Sequence, residues 1–428
     1  MNSDQMVNAF DASRAGDLSP SVRDLIARRE RALGGAYRLF YASPVRFVRG
    51  EGVYLYDPDG HAYLDAYNNV PSVGHSHPRV TGAVTRQLQA LNTHTRYLTD
   101  GVVDYAERLL ATHGPALAAG SAHAMFTCTG SEANDLALRI ARHRTGGTGV
   151  IVTANAYHGV TAAVAEVSPS LGVPLGPHVR TVPAPPRAED VAAAIASLSA
   201  QGIRLAAFLA DSLFSSDGVL PDAPELRQVR DLVRAAGGLY IADEVQSGFG
   251  RTGSHLWGYQ RHGLDPDIVT MGKPMGNGMP IAGVVARHEV LEDFGRAARY
   301  FNTFGGNPVC VAAAAAVLDV LESEDLPANA AATGAYLKAE ISRLGADSLA
   351  GVRGAGLYLG VDVIDPATGK PSGARAAAIV NGMRDRRVLI SATGPLGHTL
   401  KIRPLLPFSR QNADQLLSAL SAVLGQVG

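Results

Sequence analysis

Cysteine is nearly absent from this chain. Cys128 and Cys310 are the only two in 428 residues, so no disulfide framework can hold the fold together, and a reducing, cytoplasmic setting is expected. No charge sign dominates either. With 38 basic against 39 acidic residues and a sequence pI near 6.9, the chain lacks the basic footprint of a nucleic-acid binder. Long apolar runs are missing. The longest, near 309–318, is far too short to span a bilayer. The opening MNSDQMVNAFDASRAGD has no charged start followed by an apolar core, so no signal peptide is expected. Lysine is scarce as well: Lys273, Lys338, Lys370 and Lys401 are the four, and the remaining basic residues are arginine. There is no internal repeat, and the Ala-rich helices are the nearest thing to low complexity.

What is present is apolar residue in quantity, 46% by count, enough for a large core and about two or three domains. Strand and helix patterns alternate along it. Residues 1–19 read as polar and mobile, and 21–33 as a helix. Short strands are predicted in VRFV, GVYLY and HAYLDAY between residues 45 and 67, turned by Asp57-Pro58-Asp59-Gly60, a small antiparallel unit. Helices are expected near 79–91, 101–113 and 223–236, and strands at 124–128, 149–153, 205–210, 239–242, 268–271 and 280–286. After Thr129, Ala133, Leu136, Ala137, Ile140 and Ala141 share one helical face. Asn307-Pro308 starts another helix, running to about 321. The remainder mixes helices (328–344, 374–386, 412–425) with strands (355–363, 388–391, 399–403). The alternation predicts an α/β fold, a mostly parallel sheet with helices on both faces. The expected division is 1–66, which joins a smaller α+β domain, then a large domain over 67–321, then the rest of the small domain over 322–428.

Two of the short apolar runs end in chemistry. Leu239–Ala242 leads into Asp243 and Glu244, and Ile268–Met271 leads through Gly272 to Lys273. Buried parallel strands deliver their carboxyl ends to one edge, where ligands sit. An acid and an amine thirty residues apart can therefore meet there. Lys273 alone among the lysines lies between Gly, Pro and Met at the end of a buried run, and a desolvated lysine becomes a nucleophile. Earlier, Thr129 and Glu132 have capping-box spacing, and Gly130 in the first helical turn leaves room for an anion at the free N–H groups.

The sequences D-E-V-Q-S-G-F-G-R-T-G, D-I-V and G-K-P-M-G-N-G, with T-G-S-E-A-N upstream, resemble those of the class III (omega-type) pyridoxal phosphate-dependent aminotransferases of fold type I, from about Gly52 to Arg403. The resemblance implies pyridoxal 5'-phosphate as cofactor, held by Lys273 as a Schiff base, with Asp243 on its ring nitrogen. It further implies phosphate binding at Gly130 and Ser131, ring stacking by Tyr157, packing of Val245 on the opposite face and a hydrogen bond from Gln246 to the ring hydroxyl. Thr303 would reach the phosphate from a neighbouring subunit, making the protein a homodimer with sites at the interface. Arg403 is the candidate for a substrate carboxylate. The implied reaction moves an amino group from an amine or amino acid to a keto acid or aldehyde. N-N-V-P-S-V-G-H resembles the branch that includes phospholyases acting on amino-alcohol phosphates, so a phospholyase, racemase or aminomutase is the alternative. Where relatives often carry Glu-Pro, this chain has Asp211-Ser212, in a loop running to Ser216 that bears on the substrate.

Two motifs point elsewhere and are set aside. Gly248–Gly253 spells G-x-G-x-x-G, but the SHLWGYQRHG behind it has no helical face, so it reads as a loop and not a dinucleotide fingerprint. His75 and His77 lack a further acid or thiol pair at ligand spacing, so no metal is expected there.

Overall fold

The computed structural model describes residues 6–118, 120–214 and 217–427. Of the N-terminal stretch expected to be mobile, residues 1–5 fall outside that description, whereas Ala12–Asp17 form a 3-10 helix capped by the Asp11 side chain. In chain order the strands begin with β1 (Arg49–Glu51), β2 (Tyr54–Tyr56) and β3 (Ala62–Asp65). Seven follow: β4 (Ala122–Thr127), β5 (Gly149–Thr153), β6 (Val179–Val182), β7 (Leu205–Asp211), β8 (Leu239–Asp243), β9 (Ile268–Met271) and β10 (Ala282–Arg287). The last are β11 (Leu349–Ala355), β12 (Tyr358–Val363), β13 (Val388–Leu389), β14 (Ser391–Thr393) and β15 (Thr399–Ile402).

The seven middle strands make one sheet in the order β4-β10-β9-β8-β7-β5-β6. β10 runs antiparallel to both neighbours, and the other six share a direction. Their buried runs divide by the pleat. Val150, Val152, Ala207, Leu209 and Ile241 pack with Ala133, Leu136, Ala137 and Ile140 of the helix after β4. Ile151, Phe208, Ala210, Tyr240 and Ala242, one residue out of phase, join the core on the opposite face. A period of two with apolar residues at both phases is what helices on both faces require.

The N-terminal hairpin is set by Asp57, whose Oδ1 accepts from the N–H groups of Asp59 (3.0 Å) and His61 (2.9 Å), while Gly60 takes φ +83°. Its first strand lies at Arg49–Glu51 and not in VRFV, of which the last residue, Val48, donates its N–H to the Tyr56 carbonyl at 2.9 Å. β3 then pairs in parallel with β13, so chain from both termini closes one sheet. The single strand expected over 355–363 is in fact the end of β11 and all of β12. Gly356, at φ +54°, turns the chain between them, and a Cβ there would sit 2.4 Å from the Arg251 carbonyl. Among the described residues, no helix is long and apolar enough to cross a membrane.

Candidate active site

Loops leaving the carboxyl ends of β4, β5, β7, β8 and β9 converge on a cavity of about 190 Å³. It is lined by Gly130 and Ser131 after β4, by Tyr157, His158 and Gly159 after β5, by Asp211 and Asp243 at the last positions of β7 and β8, by Val245 and Gln246 just beyond, and by Lys273 after β9. Crevices outside the carboxyl ends of parallel strands are where such sheets bind ligands.

The floor at one end is the first turn of a helix, Gly130–Thr145. Its capping box is complete: Thr129 Oγ1 accepts from the Glu132 N–H at 3.1 Å, and Glu132 Oε2 accepts from the N–H groups of Thr129 (3.2 Å) and Cys128 (2.7 Å). The cap fixes where the helix starts, and its dipole directs positive potential at the cavity. Two glycines keep this end open. A Cβ on Gly130 would press on Val245 at 3.0 Å, and one on Gly159, at φ +137°, would fall 2.7 Å from Ser131 Cα. Ser131 Oγ accepts from the Val160 N–H at 3.1 Å, which ties the loop after β5 to the helix.

At the other end Asp243 is held on three sides. Oδ2 accepts from His158 Nδ1 at 2.7 Å and Asn134 Nδ2 at 2.9 Å, and Oδ1 accepts from the Val245 N–H at 3.0 Å. Asn134 in turn donates to the His158 carbonyl at 2.8 Å and accepts from Thr270 Oγ1 at 2.7 Å. Burial pushes the Asp243 carboxyl up, but the His158 bond and its companions outweigh this and hold it below the ordinary carboxylate value. The result is a fixed anion at the sheet edge.

Lys273 is lowered by burial, and the neighbouring Asp243 and Asp211 restore part of the loss. A second amine lies close by. Burial, then repulsion from Arg403 and Lys273, brings Lys401 down to about 7, and its Nζ sits 5.6 Å from the centre of the Tyr67 ring. Arg403 follows β15 directly, two residues beyond Lys401. It is fully buried, its guanidinium lies 3.4 Å over the Tyr358 ring, and Nη1 donates to the carbonyls of Leu359 and Ile402 (3.0 Å for the latter). It is not among the residues lining the cavity. Thr303 is also outside it, exposed on the loop before the helix Pro308–Ser323.

The structure thus brings Gly130, Ser131, Tyr157, Asp243, Val245, Gln246 and Lys273 together. It adds His158 and Asn134, and also Asp211, which the sequence marked only as standing where relatives often carry Glu-Pro; Asn134 is a polar side chain inside an otherwise apolar helical stripe. The glycine-rich stretch 248–253 is a loop, as its pattern predicts. Gly253, at φ +80°, lies against the backbone of Ala331, and the buried Arg251 donates to the carbonyls of Leu357 (3.3 Å) and Pro404. His75 pairs with Asp65 at 2.9 Å and His77 with Glu324 at 3.1 Å. Ser215 and Ser216, in the loop expected to bear on the substrate, lie outside the described residues.

A fixed carboxylate, a desolvated amine and a capped helix start thus line one cavity together with Tyr157 and Val245. The class III aminotransferase family model matches residues 41–424, and the chain belongs to that family, whose members are pyridoxal phosphate-dependent enzymes. It is 40% identical to the alanine–glyoxylate aminotransferase 2-like protein of Drosophila melanogaster, over 93% of this chain and 86% of that one. It is 34% identical to ethanolamine-phosphate phospho-lyase homolog 1 of Caenorhabditis elegans, over 94% of each. Among solved structures, an Arthrobacter phospholyase in complex with phosphoethanolamine superposes with a TM-score of 0.90 at 46% identity, covering 94% of this chain and 99% of that one.

Proposed function

We propose that this enzyme is an aminotransferase in which Lys273 holds pyridoxal 5'-phosphate covalently and acts as the base on an amine substrate. Bound there, the cofactor supplies an aldehyde for the substrate amine and a ring that draws charge from the carbon losing its proton. The single observation that carries this reading is the meeting of Lys273, Asp243 and the start of the helix Gly130–Thr145 in one cavity. The Gly130–Ser131 turn takes the phosphate. Asp243 keeps the ring nitrogen protonated, Tyr157 and Val245 flank the ring, and Gln246 meets its hydroxyl. The lowered basicity of Lys273 gives it a neutral fraction able to take a proton at the substrate carbon, work that contributes about 10²–10⁴ in rate.

Thr303 and the exposed side chains Leu98, Val160 and Phe304 support a homodimer in which the neighbouring subunit covers this apolar surface and Thr303 reaches the other site's phosphate. The two unpaired thiols suit a reducing compartment. Lys401, close enough to Lys273 for their charges to repel, joins Arg403 as a candidate cation for a substrate anion.

A second reading, phosphate elimination from a small amino-alcohol phosphate, is favoured by Lys401 on β15 with Arg403 just past its end and by the 46% identity to the Arthrobacter phospholyase. Both readings use Lys273 in the same way. Borohydride reduction followed by peptide mass mapping should label Lys273, and a label elsewhere sinks both. Product analysis then divides them. An amine donor with glyoxylate or pyruvate should yield a keto product and a new amino acid, whereas phosphoethanolamine releasing ammonia with inorganic phosphate would replace transfer by elimination.

A further inference from the structure

Asn277 follows Lys273 within the same loop but is not among the residues lining the cavity. The chain turns tightly between them: the Met275 N–H donates to the Gly272 carbonyl at 2.7 Å, and the Asn277 N–H to the Pro274 carbonyl at 3.2 Å. Asn277 itself takes φ +50°, a left-handed conformation that asparagine adopts more readily than most residues. Its amide reaches the loop that follows β3. Oδ1 accepts from the Val73 N–H at 3.1 Å, and Nδ2 donates to the Gly74 carbonyl at 2.9 Å. The backbone donor and acceptor opposite fix which end of the amide is oxygen. They also fix the register, since a slip of the loop by one residue would break both bonds. Ser72 Oγ adds a donation to the Pro274 carbonyl at 3.4 Å. The loop held in this way is tied in turn to the chain around β15. The Ser72 carbonyl accepts from the Leu406 N–H and the Ala66 carbonyl from the Arg403 N–H, each at 2.8 Å. Between them in sequence, Tyr67 has its ring centre 5.6 Å from Lys401 Nζ, and its N–H donates to Asp65 Oδ1 at 3.1 Å. Segments after β3, after β9 and at β15 are thereby locked to one another.

We propose that Asn277 is a positioning residue, which sets Lys273 at a fixed distance from the cations Lys401 and Arg403, so that a substrate anchored by its anion brings its amine-bearing carbon to Lys273. This rests on the reading that those cations take the substrate anion. Asn277 touches neither substrate nor cofactor in this scheme. It acts through the loop 66–74, and its effect is selective. An amine without an anion makes no use of that anchor, so only anionic substrates depend on Asn277.

The test compares full-length holoenzyme as wild type, Asn277→Gly and Asn277→Asp. Glycine keeps the left-handed backbone and removes both bonds. Aspartate keeps an acceptor for the Val73 N–H but sets an oxygen against the Gly74 carbonyl. The probes are alanine, phosphoethanolamine and ethylamine, the last being either of the others stripped of its anion. Each is read as the second-order rate of change in the bound cofactor's absorbance on mixing. Asn277→Gly should lose about tenfold, the worth of two neutral hydrogen bonds, with the anionic amine that wild type prefers, while ethylamine changes by less than about twofold. Asn277→Asp should lose at least as much as the glycine variant. Cofactor affinity should hold in both. In the apoprotein, the Val73 amide should exchange its hydrogen faster in Asn277→Gly than in wild type. An equal loss with ethylamine, no loss with the anionic amine, a matching loss of cofactor, or unmoved exchange at Val73 overturns the proposal. Wild type taking ethylamine as readily as both anionic amines is a different failure: it removes the reading of Lys401 and Arg403 as anion holders, and the role of Asn277 with it. Should Asn277→Gly fail to fold, Asn277→Asp decides by the same comparison of amines.

Discussion

Asp211 and Asp243 stand in register at the ends of adjacent parallel strands, and both carboxylates line the cavity that contains Lys273. Strand pairing sets this arrangement, because β7 and β8 end at the same level of the sheet. Asp243 is bound by His158, Asn134 and a backbone N–H, whereas Asp211 shares in the field that stabilises the Lys273 ammonium. Both carboxylates stabilise the Lys273 ammonium, Asp243 more than Asp211, and the proposed function gives Asp243 the ring nitrogen as well, leaving Asp211 to the amine alone.

Asp211→Asn tests that division. Removing the second negative charge should lower the Lys273 ammonium's stability further, since Asp211 acts to raise its pKa. In the apoprotein, the midpoint of the pH dependence of pyridoxal phosphate attachment should move to lower pH. A midpoint that stays put, or rises, would remove Asp211 from the electrostatics of the amine.

Gly159→Ala addresses the end of the cavity at the helix start. The Cβ would land 2.7 Å from Ser131 Cα and 2.5 Å from its Oγ, at a φ of +137° that side chains rarely adopt. Backbone must move, at a penalty of roughly 1–3 kcal/mol. We expect a lower melting temperature and weaker cofactor retention together. Gly202→Ala, also at positive φ but facing open space, is the comparison. It should lower stability by about 1 kcal/mol and leave cofactor binding alone.

The sheet edge was legible in the sequence because its signals are local. Apolar runs ending at Asp243 and Lys273 announce strands, and Thr129 with Glu132 announces the helix start whose capping box the structure shows. Strand direction was not legible: β10 reads like its neighbours in composition, and its reversal is a property of connection. Most of β11 was missed for another reason, since L-A-G-V-R-G-A carries two glycines and an arginine, and the strand expected over 355–363 took in only its last residue. The surroundings of Arg403 depend on which way its side chain leaves the end of β15. Lys401 and Arg403 look interchangeable in K-I-R-P, and only packing against Tyr358 and the carbonyls of Leu359 and Ile402 separates them. The His158–Asp243 contact joins residues 85 positions apart, and no local pattern encodes it.

Glu244 follows Asp243 in sequence but does different work, and its substitution should show that. It is fully buried and accepts from Ser212 Oγ, Ser247 Oγ (2.9 Å) and the N–H groups of Gly258 (2.7 Å) and Tyr259 (2.8 Å). Each carboxylate oxygen faces one backbone N–H, so the amide nitrogen of Glu244→Gln must oppose a fixed donor. Loss of roughly 3 kcal/mol is expected, measured as a lower denaturation midpoint in the apoprotein. A variant as stable as wild type would mean that these donors find other acceptors.

Lys401 gives the pH prediction. Its ammonium is held near pH 7 by burial and by repulsion from Arg403 and Lys273. A lowered amine pKa means that the cation is present below about 7 and lost above it, so binding of an anionic substrate should strengthen as pH falls through that value. For a carboxylate substrate the gain should level off below pH 6, because a carboxylate stays ionised there. A phosphate monoester loses its second charge near pH 6, so its affinity should instead peak between about 6 and 7 and fall on both sides. Lys401→Met should abolish the alkaline limb in either case while leaving borohydride labelling of Lys273 intact. The shape of the KM–pH profile therefore reports the anion that the enzyme evolved to hold, and a profile unchanged by Lys401→Met would take the substrate anion away from β15.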